Sequence, residues 1–233
     1  MKKLVLTIVC ALAMAGAAFA QGNVSWNLIT PGALTAQTNS TQYSPFFGGA
    51  AATGGAVGST GTGYAGFYYE LLYTTYSGTQ ATIPTLASLL SWRDAGLGAT
   101  NAASAGRLVP IAGTTAAQVP WSPGTTDSIV LVGWSADLGS TWGVVSNELA
   151  HGTFGTVLAG QQGFFGVSAT GYTTTFDTSV NPGALLFGAA TAQGLPIVSL
   201  NTPLYLLPVP EPATMALAGL GGLSLLLFRR QRK

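Results

Sequence analysis

Two apolar segments, one at each end of the chain, restrict a globular fold to the residues between them. The first lies within residues 1–20, where two lysines precede a short apolar core. Ala18 and Ala20 then supply the small side chains that signal peptidase recognises, so we expect cleavage before Gln21. Residues 1–20 are therefore predicted to be a signal peptide that directs export through the Sec machinery and takes no part in the fold.

The second apolar segment, residues 213–228, has no charged side chain and is followed by Arg229, Arg230, Arg232 and Lys233. Sixteen residues of α-helix span roughly 24 Å, somewhat less than the hydrocarbon core of about 30 Å. The basic residues favour a cytoplasmic C-terminus, because cations are costly to move across a bilayer. We therefore predict a transmembrane helix over residues 213–228, with the body outside the membrane.

A short motif, Pro210, Glu211 and Pro212, directly precedes this helix, and its two prolines keep the backbone extended. Pro-Glu-Pro, a short apolar helix and a terminal basic cluster, in this order, resemble the PEP-CTERM sorting signal of Gram-negative bacteria, a module also labelled ice-binding protein C-terminal domain. The sorting signal would occupy residues 209–233.

The resemblance implies a partner and a destination. In this family exosortase, an integral-membrane cysteine protease, recognises the tail and processes the protein near the motif. Pro210, Glu211 and Pro212 would then be the recognition residues, and Arg229 and Arg230 would belong to the basic cluster that fixes orientation. The protein is expected to be anchored at the cell envelope before processing and to reach the outer surface or the extracellular matrix afterwards.

The body, residues 21–208, carries little charge. It has no lysine, and its two arginines against six carboxylates give a net charge of about −4. A basic patch for nucleic acid is therefore absent from its sequence. The single cysteine, Cys10, lies in the predicted signal peptide, and the carboxylates are scattered singly. Neither a disulfide, a metal site nor a cofactor is predicted.

Short strand patterns separated by Gly and Pro turns predict an all-β body. Phe67–Tyr76 alternates, with Phe67, Tyr69, Leu71 and Tyr73 on one face. Ser128–Ser135 is apolar almost throughout, which indicates a strand buried on both faces. Weaker patterns predict strands at Val24–Ile29, Leu108–Ile111, Phe164–Ala169, Thr173–Phe176, Ala184–Phe187, Ile197–Leu200 and Leu204–Leu207.

Helical and glycine-rich segments complete the predicted architecture. One short helix is expected to begin near Pro84 and to end at Gly96, and another to run from Thr141 to His151 with Gly152 as its stop. Residues 47–66 are rich in Gly and predict a loop. We therefore expect an antiparallel β-sandwich of jelly-roll type with one or two short helices, plus the C-terminal transmembrane helix.

No residue is predicted to be catalytic. His151 is the only histidine, and a Ser-His-Asp site would have to combine it with a serine and an aspartate. The segment from Gly133 through Ser135 to Asp137 lacks the final glycine of the G-x-S-x-G elbow. We instead expect His151 to end its helix, where its ring can meet the last backbone carbonyls.

Aromatic residues provide the remaining clue to function, since their rings can fill a core or stack on sugars. Trp121, close to Pro120 and Pro123, is the tryptophan expected to be most exposed and is the candidate for carbohydrate stacking. We predict a non-enzymatic structural or interaction protein of the cell envelope or extracellular matrix. The alternative is a carbohydrate-binding module that contacts exopolysaccharide, and a hydrolase is the third hypothesis.

Overall fold

The computed structural model describes residues 21–28, 35–49, 58–59, 66–78, 81–104, 106–111, 116–158, 161–180, 182–197 and 201–208. The predicted signal peptide, the predicted transmembrane helix at 213–228 and most of the glycine-rich segment 47–66 lie outside these residues. In the part of the chain that is described, no helix has the length and apolar character needed to cross a membrane.

The described residues form strands with three short α-helices and two 3-10 turns. The strands are β1 (Gly22–Ser25), β2 (Thr35–Tyr43), β3 (Gly58–Ser59), β4 (Phe67–Thr75), β5 (Arg93–Asn101), β6 (Leu108–Pro110), β7 (Ala117–Val119), β8 (Thr126–Ser135), β9 (Phe164–Val167), β10 (Gly171–Thr174), β11 (Ala184–Leu185) and β12 (Asn201–Leu206). The helices are α1 (Leu86–Leu89), α2 (Trp142–His151) and α3 (Phe154–Leu158), and the 3-10 turns are Pro45–Phe47 and Ala136–Leu138. The predicted all-β class with a few short helices is confirmed.

Nine of the strands belong to one sheet, in the order β3-β2-β12-β9-β8-β4-β5-β6, with β10 also paired to β8. The two ends of this sheet approach each other. Thr35, at the start of β2, bridges Arg107, next to β6, and the Ala36 N–H donates to the Gly106 carbonyl at 2.8 Å. The sheet therefore nearly closes on itself. The remaining strands form a smaller sheet in the order β11-β1-β7, which shares no strand with the large one.

This topology departs from the purely antiparallel jelly-roll sandwich that the sequence predicts. Two pairs, β2 with β12 and β1 with β11, are parallel, and the large sheet curls into a nearly closed form. The reason is that alternation of apolar residues identifies a strand and its faces but carries no information about which strands become neighbours. The polar strand β2, Thr-Ala-Gln-Thr-Asn-Ser-Thr-Gln-Tyr, has no such alternation, and the sequence did not predict it.

Strand β8 lies at the centre of the fold and is buried along nearly its whole length, as predicted. Ile129 and Leu131 pack into one apolar cluster with Tyr69 and Leu71 of β4, which we call the inner cluster. The alternate residues of β8 face a second cluster, the outer cluster, which the helices cover: Val130, Val132, Trp134, Trp142, Val145, Leu149, Phe154 and Leu158. Both faces of β8 are thus shielded from water, which explains its continuous apolar sequence.

The two predicted helices differ in outcome. Helix α2 ends at His151, Gly152 follows with a φ of 66°, and Trp142, Val145 and Leu149 share its buried side, all as predicted. Helix α1, by contrast, is only four residues long, so the predicted continuation of the helix to Gly96 is wrong. That segment instead forms the start of β5, which pairs with β4 and bulges at Gly96, where φ is 74° and the N–H donates to the Asp94 carboxylate at 2.7 Å.

Candidate functional site

A polar groove lies where β4 ends and β8 begins. It comprises a cavity of about 460 Å³ and a second one of about 280 Å³, and the two share Thr74, Thr75 and Ser91 on their walls. Among the residues that line the larger cavity are Tyr73, Arg93, Trp121, Thr125, Thr126 and Asp127. Among those that line the smaller one are Thr82, Ser88, Trp92, Ser128 and Thr170. Hydroxyl groups and aromatic rings therefore dominate this surface, which we call the polar groove.

Strand register brings the charged and aromatic residues of the polar groove together. Tyr73 of β4 is paired with Arg93 of β5, and Thr75 is paired with Asp127 of β8. Directly opposed residues in an antiparallel pair place their Cβ atoms about 5 Å apart on the same face. Arg93, Tyr73, Thr75 and Asp127 therefore lie side by side across three neighbouring strands.

Asp127 is the buried charge of the polar groove, with 7% of its surface exposed. Within the described ranges, no donor forms a hydrogen bond to its carboxylate. Burial raises the pKa of Asp127, and the positive charge of the exposed Arg93 partly opposes that rise. The carboxylate oxygens are not among the buried atoms that lack a partner, so they face the solvent of the groove, where water or a ligand hydroxyl can donate to them.

Trp121 is not exposed, so the expectation drawn from its neighbouring prolines is wrong. Only 5% of its surface is accessible, because it belongs to the inner cluster and its backbone carbonyl accepts a hydrogen bond from the Gly22 N–H at 2.7 Å. Its ring packs against Tyr73, with 4.7 Å between the ring centroids and 31° between the planes. Trp121 therefore supports one wall of the groove, and the half-buried Tyr73 is the more accessible aromatic ring.

Two further carboxylates line a separate cavity of about 260 Å³, beside Gly98 and Ile111. Glu70 accepts a hydrogen bond from the Trp142 backbone N–H at 3.1 Å. Burial, and then the negative charge of Asp94, raise the pKa of Glu70 to about 7, whereas the Trp142 hydrogen bond lowers it. Both carboxylates hold backbone in place, Glu70 at the start of α2 and Asp94 at Gly96.

The residues considered for hydrolysis are engaged in backbone contacts. Ser135 accepts a hydrogen bond from the Phe164 N–H at 2.7 Å, which ties the end of β8 to the start of β9. His151 is exposed at the last position of α2, and its Nδ1 lies 2.9 Å from the Asn147 carbonyl oxygen. The predicted position of His151 at a helix end, near the last carbonyls, is confirmed. Among the described residues, no three His, Cys, Asp or Glu side chains group as metal ligands would.

Of the predicted processing residues, only Gln21 is described, and it is exposed directly before β1. Ala18, Ala20 and the tail residues Pro210, Glu211, Pro212, Arg229 and Arg230 lie outside the described residues.

Residues 208–233 match the family model of the PEP-CTERM protein-sorting motif, which confirms the resemblance found in the sequence. No curated protein and no solved structure matches the chain. The motif implies that the protein is exported, is anchored in the membrane before cleavage and is processed by exosortase, a membrane protein.

Proposed function

We propose that the chain is a structural or interaction protein of the cell envelope or extracellular matrix, which its C-terminal signal delivers there. The observation that carries this proposal is the PEP-CTERM motif at residues 208–233. Strand β12 ends at Leu206, and the Leu207 N–H donates to the Gly163 carbonyl at 2.9 Å. The last hydrogen bond of the described body thus lies just before the motif, so cleavage near Pro-Glu-Pro leaves the fold intact.

The start of the body supports the same division of the chain. Gln21 is exposed, whereas all four residues of β1, Gly22–Ser25, are buried and pair with β7 and β11. Removal of residues 1–20 by signal peptidase therefore leaves every residue of β1 in place. We propose export through the Sec machinery, followed by a membrane-anchored stage with the C-terminus in the cytoplasm.

A non-enzymatic role fits the side chains that hydrolysis would need. Ser135 accepts a hydrogen bond from a backbone N–H that joins two elements of the fold, and His151 lies at a helix end. These contacts give each of the two residues a structural role. The body, with its few charges, also suits a matrix of hydrated polymer, where hydroxyl and amide groups provide solubility.

Location of the mature body tests this proposal. Antibodies against residues 21–208 should label intact cells and the matrix that surrounds them when the protein is produced in a host with exosortase. The matched control is a variant that lacks residues 209–233, which we expect to be secreted without retention at the envelope. Labelling that requires permeabilised cells would contradict the proposal.

Carbohydrate binding, with the exopolysaccharide of the matrix as partner, is the second candidate function. The polar groove favours it, because hydroxyl groups, the half-buried Tyr73 ring and the Asp127 carboxylate line the same cavity. Sugar rings present apolar C–H faces to aromatic rings and O–H donors to carboxylates. Trp121, the residue proposed for stacking, would act here by supporting Tyr73 from behind. A glycan array probed with the full chain tests this candidate.

A further inference from the structure

We infer that the polar groove binds an uncharged saccharide, with the Asp127 carboxylate as acceptor of ligand hydroxyls, Arg93 as donor and the Tyr73 ring as stacking surface. This assignment rests on the carbohydrate-binding candidate and specifies its site and its class of ligand.

The observation that points to a ligand is the state of Asp127. Its side chain is more than nine-tenths buried, lines the larger cavity and receives no hydrogen bond from the described residues. Its oxygens are not among the buried atoms that lack a partner, so they face the solvent of the cavity and are open to a hydrogen-bond donor there. The two oxygens can accept hydroxyl groups from adjacent carbons of a sugar ring, which offers several neighbouring O–H donors.

The surrounding residues complete such a site. Arg93 is exposed on the strand beyond β4 and offers N–H donors to sugar oxygens, and Thr75, paired with Asp127, provides a hydroxyl on the wall of the same cavity. The Tyr73 ring packs against Trp121, whose own Nε1 is buried without a partner among the described residues. A ring that is packed on one side has fewer rotamers to lose when a ligand stacks on the other.

The charges of Asp127 and Arg93 favour an uncharged ligand over an anionic sugar, a phosphate or a divalent cation. A uronic acid or a phosphate would place a second anion beside the Asp127 carboxylate, which lies in a partly desolvated position where repulsion is strong. A divalent cation needs several oxygen ligands, but Asp127 is the only carboxylate on the described walls of the groove. The positive charge of Arg93 would also repel a cation. A neutral saccharide avoids both penalties.

Calorimetry with the full chain in a detergent without sugar headgroups tests the assignment. The probes are cellohexaose, maltohexaose, laminarihexaose and mannan as neutral glycans, with polygalacturonate as the anionic one. We expect one of the neutral glycans to bind. Asp127→Asn should lower the affinity for that glycan about tenfold or more, because the charged acceptor is lost. Arg93→Gln, at an exposed position, should also weaken binding. Asp137→Asn, the matched change at the exposed Asp137 beyond the opposite end of β8, should leave affinity unchanged.

Each contrary result has a distinct meaning. If no neutral or anionic glycan binds, the carbohydrate-binding candidate and this assignment fall together, and the sorting proposal is untouched. If a neutral glycan binds equally well to Asp127→Asn, Arg93→Gln and the parent, the function stands and the groove assignment is overturned. If polygalacturonate binds more tightly than every neutral glycan, the assignment of an uncharged ligand is overturned. Thermal unfolding of each variant confirms that the comparison is between folded proteins.

Discussion

The carboxylate of Glu70 in β4 accepts a hydrogen bond from the backbone N–H of Trp142, the first residue of α2 and 72 positions further along the chain. The residue before the helix, Thr141, forms no side-chain cap, so the first N–H groups of α2 need another partner. A negative charge at this point also suits the positive end of the helix dipole. One strand residue thus fixes the start of the helix that covers the outer cluster.

Glu70 should make stability depend on pH. Burial and Asp94 raise its pKa from 4.5 to about 7 in the folded protein, so the folded state holds the proton more tightly than the unfolded state. The free energy of unfolding should therefore fall as pH rises from about 4.5 to about 7. Glu70→Gln keeps an oxygen acceptor for the Trp142 N–H and should flatten this slope, measured as Tm across the range.

The exposed Asp137 provides the control for that experiment. Asp137→Asn should leave the slope of the parent between pH 4.5 and 7 unchanged. A Glu70→Gln variant that lost stability over this range as steeply as the parent would show that another group titrates there.

A pair of facing glycines allows the centre of the large sheet to pack closely. Gly133 of β8 pairs with Gly166 of β9. A Cβ atom at Gly166 would lie 2.0 Å from the Pro203 backbone oxygen, and one at Gly133 would lie 2.6 Å from the Tyr69 ring. Backbone cannot yield as a flexible side chain can, so Gly166→Ala should destabilise the protein by about 1–3 kcal/mol or more.

The same substitution at an open position serves as its control. Gly143 lies in α2, and a Cβ atom added there would have open space around it, so Gly143→Ala should raise stability by about 0.5–1 kcal/mol. Denaturant unfolding of both variants measures the two effects. Equal stability of Gly166→Ala and the parent would mean that β9 and β12 are not packed as described.

Removal of the histidine side chain should have little effect. His151 is exposed, and its ring contacts only the Asn147 carbonyl among the contacts described, so His151→Ala should change stability by less than about 1 kcal/mol. Export and sorting should be unchanged. Loss of a hydrolytic activity in this variant, measured on ester, peptide and glycoside substrates, would refute the structural role.

The elements that could be predicted from the sequence are those that their own side-chain pattern determines. Strands β4 and β8 were recognisable because their apolar residues alternate or run continuously, and α2 because Trp142, Val145 and Leu149 recur at helical spacing. Strand β5 was missed, since its buried residues are Ala95, Leu97 and Ala99, and small side chains give a weak signal. Its place in the sheet depends on pairing with β4, which no local pattern encodes.

The polar groove could be predicted only in part. Trp121 was the candidate for carbohydrate stacking and was expected to be exposed, but its burial against Tyr73 depends on strand pairing that the sequence does not specify. Asp127 and Arg93 are 34 positions apart and line the same cavity, because their strands pair with β4 from opposite sides. The polar start of β8, Thr126, Asp127 and Ser128, before the apolar residues that follow was the available signal for the site.

The N-terminus of the mature protein is predicted to be Gln21. N-terminal sequencing of protein from the envelope fraction should start at Gln21 or within one or two residues of it, because Ala18 and Ala20 form the signal peptidase site. Replacement of Ala18 and Ala20 by Leu should block cleavage and leave the full N-terminus. Detection of Met1 in the mature parent protein would contradict the signal peptide.

Fractionation with a body-directed antibody, combined with intact-mass measurement of the C-terminus, tests the sorting account most directly. In a host with exosortase the parent should lose its tail near Pro-Glu-Pro and leave the membrane fraction. Alanine at Pro210, Glu211 and Pro212 should trap a full-length membrane species of unaltered orientation, whereas Asp137→Ala, at an exposed position of the body outside residues 208–233, should mature like the parent. Maturation of the triple variant at the rate and mass of the parent would contradict the account.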